Sequence, residues 1–179
     1  MEKLAQYRRI MLIGPPGSGK TTMAKKIHQA LGLPLYHLDK VVFLENWQVR
    51  PELEYLNIMN SFLMASEWII DGNLINYIPY RYQYATHCIY FNIPRLFCYW
   101  RIIKRRFQQN KNFSDRAPGC KNIMSWYLIR YTWLFHRRVH QKLKLLQAKH
   151  PSTVLIEISN QHELNQVLRD ILADHIQNI

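Results

Sequence analysis

Short apolar runs alternate with longer amphipathic stretches along this 179-residue chain. Five of the runs are rich in branched or aromatic residues, and they cover residues 9–13, 35–38, 68–70, 88–91 and 154–158. Strands that are buried on both faces of a parallel sheet show this continuous apolar pattern, because helices cover the sheet from both sides. The pattern therefore predicts an α/β fold with a five-stranded parallel sheet and helices on both faces.

The stretches between these runs carry apolar residues at helical spacing. Helices are predicted over residues 22–31, 51–66, from 94 onward, 123–149 and 161–176. In the second helix, five side chains are expected to face inward: Leu53, Leu56, Met59, Leu63 and Met64. In the third helix, one face carries Leu96, Trp100, Ile103 and Phe107, and a neighbouring stripe carries Arg101 and Arg105.

Three stretches show no helical or strand period. Residues 40–47 are predicted to be loop, and the tyrosine-rich residues 77–84 have no clear pattern. Residues 110–122 are polar and rich in turn formers, which predicts an excursion from the sheet. The expected organisation is a single domain over residues 1–179, with a small helical lid-like insertion at about residues 108–137.

The first strand leads directly into the sequence GPPGSGKT at residues 14–21. It matches the phosphate-loop pattern G-x-x-x-x-G-K-[ST] at each fixed position. Backbone N–H groups before a helix have no intrahelical partner and lie at the positive end of the helix dipole, so they bind anions. Lys20 can reach the β- and γ-phosphates, and the Thr21 hydroxyl can bind Mg²⁺. The expected ligand is ATP, bound by nine residues: Gly14, Pro15, Pro16, Gly17, Ser18, Gly19, Lys20, Thr21 and Thr22.

The formal net charge of +12 is concentrated in one region. Residues 95–149 contain fourteen lysines and arginines against one acidic residue, Asp115. Such an excess predicts an anionic partner, either the phosphates of a small substrate or those of a nucleic acid. A solvated basic face that only aids solubility is the alternative without a function.

The other motifs narrow the class of phosphate chemistry. There is no Asn-Lys-x-Asp motif of the kind that gives GTPases their guanine specificity. Asp71 after the third strand is followed by Gly72, whereas motor-type ATPases usually place a water-activating glutamate there. Asp-Gly suits an enzyme that avoids hydrolysis until an acceptor arrives, which favours a kinase. Because ligands of parallel sheets bind at the carboxyl ends of the strands, Gly14, Asp39, Asp71 and Asn92 are expected to rim one crevice.

These residues resemble known kinases. Trp68 to Asn73 (WIIDGN) is similar to the strand and Asp-Gly turn of adenylate kinases and their small-molecule kinase relatives. Residues 92–106 are similar to the segment that leads into the adenylate kinase lid. Over nearly the whole chain, the sequence resembles the bacterial adenylate-kinase-related DNA topology modulation proteins of the FlaR type. The shared features include His37-Leu38-Asp39, Trp47, Pro94-Arg95, Gly119-Cys120 and the aromatic helix around Trp126 and Trp133.

The resemblance implies a role for each of several residues. Asp71 would hold Mg²⁺ together with Thr21, and Arg101 and Arg105 would flank the nucleotide. Asp39 lies where related sugar and shikimate kinases keep an acceptor-binding aspartate, so it would orient a hydroxyl, or act as a general base. Lys20 and Arg137 would be the other catalytic residues. Arg137, together with Arg130 or Arg138, would neutralise charge in the transition state.

The expected function is therefore Mg²⁺-dependent transfer of a phosphoryl group from ATP to a nucleoside, a nucleotide or another small acceptor. The adenylate kinase signature Asp-Gly-Phe-Pro-Arg is absent, because Asn73-Leu74-Ile75 replaces its last three residues, which weakens the case for AMP. The alternative is a nucleic-acid-binding P-loop ATPase or regulator that affects DNA topology. Since no apolar run is long enough to span a membrane, and the three cysteines have no metal-site spacing, we expect a cytoplasmic protein with reduced thiols.

Overall fold

Five parallel strands form one sheet in the computed structural model, which describes residues 7–107 and 126–177, apart from the side chains of residues 105–107 and 174–177. The strands are β1 Arg9–Ile13, β2 Leu35–His37, β3 Trp68–Asp71, β4 His87–Phe91 and β5 Val154–Ile158. Their order is β2-β3-β1-β4-β5, and each neighbouring pair is parallel. The predicted five-stranded parallel sheet is confirmed.

Helices connect the strands. They are α1 Lys20–Leu31, α2 Leu38–Val42, α3 Glu52–Leu63, α4 Ile78–Tyr82, α5 Arg95–Phe107, α6 Trp126–Lys149 and α7 Gln161–Gln177. Residues 40–47, predicted to be loop, lie partly in α2 and end in a short 3-10 turn, Glu45–Trp47. A second such turn, Ile75–Tyr77, leads into the tyrosine-rich stretch without a period, and that stretch contains α4.

The sheet separates two apolar clusters, so the domain has three layers. Successive residues of a strand point to opposite faces. Met11 and Ile13 of β1 therefore pack with residues of α3, α4 and α6, whereas Ile10 and Leu12 pack with residues of α1, α5 and α7. Both sets of strand side chains are completely buried. Burial on both faces explains why the strands lack polar alternation.

Two predicted apolar faces differ from the structure. In α3, Met59 and Leu63 are buried, but Leu53 and Met64 are 73% and 65% exposed. Each helical residue advances by roughly 100°, which places Leu53 and Met64 well over a quarter turn from Met59. Tyr55, four residues before Met59, is buried instead.

The apolar stripe of α5 lies on the outside of the domain. Leu96, Trp100 and Ile103 are 77%, 58% and 46% exposed, while Cys98 between them is fully buried. The stripe that carries Arg101 packs towards the loop before α1, as described below. Most of the expected lid-like insertion at about residues 108–137 lies outside the described residues, and its last part, from residue 126, is the start of α6.

None of the helices in the described ranges combines the length and hydropathy that a membrane span requires. Cys88 and Cys98 are buried free thiols, and Cys120 lies outside the described residues.

Candidate functional site

The glycine-rich loop joins the end of β1 to the start of α1, and its conformation depends on its glycines. Gly17 and Gly19 have φ angles of 79° and 98°, in the left-handed region that favours glycine. A Cβ atom on Gly17 would lie 2.5 Å from the carbonyl oxygen of Cys98 in α5. The Ser18 amide donates to the Pro15 carbonyl at 3.2 Å, which closes a turn inside the loop.

The loop presents open hydrogen-bond donors to the site. Gly19 caps α1 and gives its first turn no side-chain hydrogen bond, and no acidic residue occupies that turn. The first N–H groups of a helix then remain available to an anion, at the positive end of the helix dipole. Within the described part of the chain, the buried hydroxyl of Ser18 also has no hydrogen-bond partner. This arrangement can bind a phosphate group.

Asp71 forms the polar centre of the site. Its Oδ2 atom accepts a 2.7 Å hydrogen bond from the Thr21 hydroxyl and lies 3.1 Å from Nδ1 of His37. Burial by itself raises the pKa of the Asp71 carboxyl, but the hydrogen bond with His37, the charge of Lys20 and the hydrogen bond from Thr21 outweigh it and lower the pKa. Asp71 is therefore a buried carboxylate anion at neutral pH. Its second oxygen, Oδ1, has no hydrogen-bond partner among the described residues.

The segment after β3 is held against both the phosphate loop and α2. The Asn73 side chain accepts a 3.1 Å hydrogen bond from the Gly14 amide, which ties the two strand ends together. Gly72 has a φ angle of 142°, and a Cβ atom there would lie 2.7 Å from Cβ of Leu38. The position therefore requires glycine, which explains the Asp-Gly sequence on steric grounds.

A buried arginine, Arg81 of α4, donates hydrogen bonds to the segment after β3. Its guanidinium donates to the carbonyls of Gly72 at 3.1 Å, of Asn73, and of Leu74 at 3.5 Å. Burial lowers the pKa of Arg81 to about 10, so the side chain remains a cation at neutral pH. The sequence interpretation missed this residue, because Arg81 belongs to no motif and lies in a stretch without a clear period.

Arg101, predicted to flank the nucleotide, contacts the phosphate loop. Its Nη1 atom donates to the carbonyl of Ser18 at 3.1 Å and lies 3.5 Å from that of Gly17, and Nη2 lies 3.5 Å from Oε1 of Gln161. Its observed partners thus fix the backbone of the loop. The side chain of Arg105 lies outside the description, so its predicted role stays a prediction.

A cavity of about 500 Å³ opens in front of the loop. Lys20, Thr21 and Asp71 line it, and so does Asp39 from the start of α2. These four predicted site residues, from three separate parts of the sequence, therefore share one cavity. The other predicted phosphate-loop residues that line it are Pro16 and Gly17.

Of the remaining predicted residues, some line the cavity and others do not. Arg130, Arg137 and Arg138 are all exposed, and of these three Arg138 lines the cavity. Asn92 does not line it either, because its amide donates to Glu157 of β5 at 2.6 Å. Thr22, the last of the nine residues predicted to bind ATP, is exposed on α1 outside the lining.

The cavity is also lined by four aromatic side chains, to which the sequence interpretation assigned no role in the site. Phe43 and Trp47 come from the segment after α2, and Tyr127 and Tyr131 come from α6. Tyr131 is close to Asn73 and to the carboxylate of Asp39. Burial raises the pKa of its hydroxyl, a hydrogen bond with Asn73 lowers the pKa, and the charge of Asp39 raises it. The hydroxyl therefore stays neutral.

Comparisons with known proteins agree with this architecture. Residues 10–67 match the model of the ATPase family associated with various cellular activities (AAA). A shikimate kinase from Acinetobacter baumannii, solved in complex with shikimate, superposes with a TM-score of 0.59 over 98% of this chain and 96% of its own, at 14% identity. A gluconokinase from Sinorhizobium meliloti superposes with a TM-score of 0.50 over 96% of this chain and 94% of its own, also at 14% identity. The chain has the α/β fold of P-loop nucleoside triphosphatases.

Proposed function

We propose that the protein is a Mg²⁺-dependent phosphotransferase that moves the γ-phosphoryl group of ATP to a hydroxyl or phosphate group of a small acceptor. The observation that carries the proposal is the shared cavity, because Lys20, Thr21 and Asp39 all border the same space. A hydrolase needs only a water molecule in front of the triphosphate. A second carboxylate besides Asp71, that of Asp39, in a cavity of about 500 Å³ suits a second substrate.

The phosphate-binding end has the donors that a triphosphate needs. The N-terminus of α1 supplies backbone N–H groups, and Lys20 supplies a positive charge beside them. Lys20 can compensate the charge that moves towards the β–γ bridge during transfer. Arg101 contributes indirectly, since it fixes the carbonyls of Gly17 and Ser18 and so the direction in which the loop amides point.

The residues around Asp71 fit a magnesium ion. Hard cations prefer oxygen ligands, and the Thr21 hydroxyl and the Asp71 carboxylate provide two at hydrogen-bonding distance from one another. The Oδ1 atom of Asp71 is buried without a partner in the described residues, which would leave it available to the ion or to a water molecule bound to it. Bound Mg²⁺ supplies charge neutralisation for the phosphate oxygens. His37 orients the Asp71 carboxylate through its 3.1 Å contact.

Asp39 would act on the acceptor. In the proposed reaction its carboxylate accepts the proton of an acceptor hydroxyl, and the hydroxyl oxygen forms a bond to the γ-phosphorus. The bond between the γ-phosphorus and the bridging oxygen breaks, and ADP leaves with that electron pair. The two solved structures in the comparison are named as kinases of shikimate and of gluconate, which are small hydroxylated molecules.

An arginine from α6 would stabilise the transferring group. Arg138 lines the cavity, so of the two neighbouring candidates it supports this role better than Arg137 in the described conformation. Arginine contacts to the transferring phosphoryl group are worth ~10³- to 10⁵-fold in rate where they have been measured. The choice between the two residues is testable by substitution.

The test is acceptor-dependent ADP release. Purified protein is incubated with ATP and Mg²⁺ and a panel of nucleosides, nucleotides, sugars and hydroxy acids. The proposal predicts that at least one acceptor raises ADP release well above the rate in water alone and becomes phosphorylated. Asp39→Asn should lose this stimulation while the KM for ATP changes little. If ADP release were the same with and without every acceptor, the proposal would be wrong.

One observation favours a second candidate function, binding of nucleic acid. Trp100 and Trp133 are exposed, and each carries a cation over its ring: Lys104 over Trp100 at 4.9 Å and Arg95 over Trp133 at 4.7 Å. Exposed aromatic rings beside cations are typical of surfaces that stack bases and contact phosphates. On this alternative, duplex DNA would bind with an affinity that falls steeply with salt, at a slope of about −0.9 per phosphate contact. ATP turnover that responded to DNA and to no small acceptor would favour it.

A further inference from the structure

The outer part of the cavity lining, by which we mean the lining residues outside the phosphate loop and β3, carries four aromatic side chains. Phe43 and Trp47 approach it from the segment after α2, with their ring centroids 5.2 Å apart at 75°. Tyr127 and Tyr131 approach it from α6, with centroids 6.2 Å apart at 28°. None of these four rings belongs to the phosphate loop or to β3.

These rings do not all serve the hydrophobic core. Tyr127 is 74% exposed and yet lines the cavity. Trp47 and the preceding Asn46 have φ angles of 63° and 55°, so two consecutive residues other than glycine adopt the left-handed conformation. That conformation is costly for L-residues and is retained mainly where a site requires it. The strained turn brings the Trp47 ring into the cavity lining.

The charges of the outer part suit a neutral acceptor. Among the described lining residues outside the phosphate loop and β3, Asp39 is the one carboxylate and Arg138 the one arginine, so they balance. An acceptor with its own phosphate or carboxylate would need more cations here if Arg138 serves the transferring group. The buried Arg81 cannot supply one, since its guanidinium donates to the carbonyls of residues 72–74.

We infer that the acceptor is a nucleoside, whose planar base packs among the rings of Phe43, Trp47, Tyr127 and Tyr131 and stacks on one or two of them, while a sugar hydroxyl faces Asp39. This inference rests on the proposed kinase function. Stacking of a base on one aromatic side chain contributes roughly 5- to 150-fold in affinity, and it tolerates different bases because each base has a π-face. The transferred phosphoryl group goes to the sugar oxygen, the hydroxyl proton goes to Asp39, and ADP leaves. The product is a nucleoside monophosphate.

The first measurement compares acceptor classes. ADP release and product formation are followed with purine and pyrimidine nucleosides, their monophosphates, and two acceptors without an aromatic ring, gluconate and shikimate. The inference predicts stimulation by nucleosides, with kcat/KM at least about tenfold above that for the non-aromatic acceptors and for the monophosphates.

The second measurement uses variants of the rings. Tyr127→Leu and Trp47→Leu should each raise the KM for the nucleoside at least about fivefold, while the KM for ATP stays within about twofold. Trp47→Phe and Tyr127→Phe keep a π-face and should restore most of the affinity. Trp126→Leu is the matched control, because Trp126 is on α6, is 78% exposed and does not line the cavity, and it should leave both KM values unchanged.

The outcomes separate the inference from the function on which it rests. If gluconate, shikimate or a nucleoside monophosphate is the preferred acceptor, the nucleoside inference is overturned and the kinase function stands. If nucleosides are phosphorylated but the leucine variants bind them like the original protein, the aromatic site is overturned. If none of the acceptors is phosphorylated and ATP still binds, both the kinase function and the inference fail.

Discussion

Replacement of the buried Arg81 tests whether the hydrogen bonds that Arg81 donates hold the segment after β3 in position. Arg81→Met removes the donors to the Gly72, Asn73 and Leu74 carbonyls but keeps most of the apolar side-chain volume. Hydrogen bonds to a charged group contribute about 1.5–3 kcal/mol each. The contact with Leu74 is the longest, so we count the other two, with Gly72 and Asn73, and expect their loss to cost about 3–6 kcal/mol. Against this, burial has lowered the Arg81 pKa from 12.5 to about 10, which corresponds to roughly 3 kcal/mol of desolvation that the substitution relieves.

The expected net loss therefore lies between about 0 and 3 kcal/mol, and its middle value of about 1.5 kcal/mol corresponds to roughly 3–6 °C in Tm for a domain of this size. Thermal and urea unfolding, followed by circular dichroism, measure it. Arg81→Lys should be at least as harmful as Arg81→Met, because it keeps a buried cation but loses the planar fork that contacts several carbonyls. Activity should fall in both variants, since Asn73 ties the same segment to Gly14.

Arg169→Met is the control, because Arg169 is exposed on α7 and its replacement should change Tm by less than about 1 °C. The reasoning would be refuted if Arg81→Lys had the stability of the original protein, or if Arg81→Met matched the control. Either result would mean that the three carbonyl contacts contribute nothing beyond what a different side chain or water provides.

Three further predictions concern other parts of the structure. Arg138→Ala should lower kcat at least about 100-fold and Arg137→Ala less than about fivefold, and equal losses in steady-state assays would contradict this assignment. Gly17→Ala should destabilise the fold by at least about 1–2 kcal/mol in urea unfolding and abolish ATP binding. The φ of 79° disfavours residues other than glycine, and the added Cβ atom would lie 2.5 Å from the Cys98 carbonyl oxygen of α5. Burial lowers the His136 pKa although its contact with the Ile93 carbonyl raises it, so the stability that neutral His136 confers above about pH 6.5 should decline as the pH falls. His136→Gln should show a smaller loss of urea stability between about pH 7.5 and 5.5, and an unchanged loss would exclude this source.

The sheet and the inner site could be predicted because local sequence determines them. Each strand is a continuous apolar run, and burial on both faces of the sheet leaves no other arrangement for such runs. The phosphate loop is encoded by glycine positions that the backbone requires, such as Gly17. Asp71 is the last residue of β3, so the parallel order of the sheet brings it next to Thr21, whose hydroxyl donates to it at 2.7 Å.

The outer site could not be predicted because it depends on how distant elements pack. The apolar stripe of α5, with Trp100, predicted a core face, but the contact of Arg101 with the phosphate loop turns that stripe outward. Arg81 carries no local sign that three carbonyls will surround it. The aromatic residues of α6, such as Tyr131, have the spacing of a core helix, and only the tertiary fold shows that some line a cavity.

Calorimetric titration of the protein with Mg²⁺ and a non-hydrolysable ATP analogue tests the central claim most directly. Wild-type protein should bind one equivalent, and Lys20→Ala should weaken binding at least about 100-fold, because Lys20 supplies charge-assisted hydrogen bonds to the phosphates. Circular dichroism should show the variant folded, since Lys20 is partly exposed and is not one of the buried core residues. Undetectable binding to the wild type, or equal affinity in the folded variant, would contradict the assignment of the Gly14–Thr21 loop as the triphosphate site.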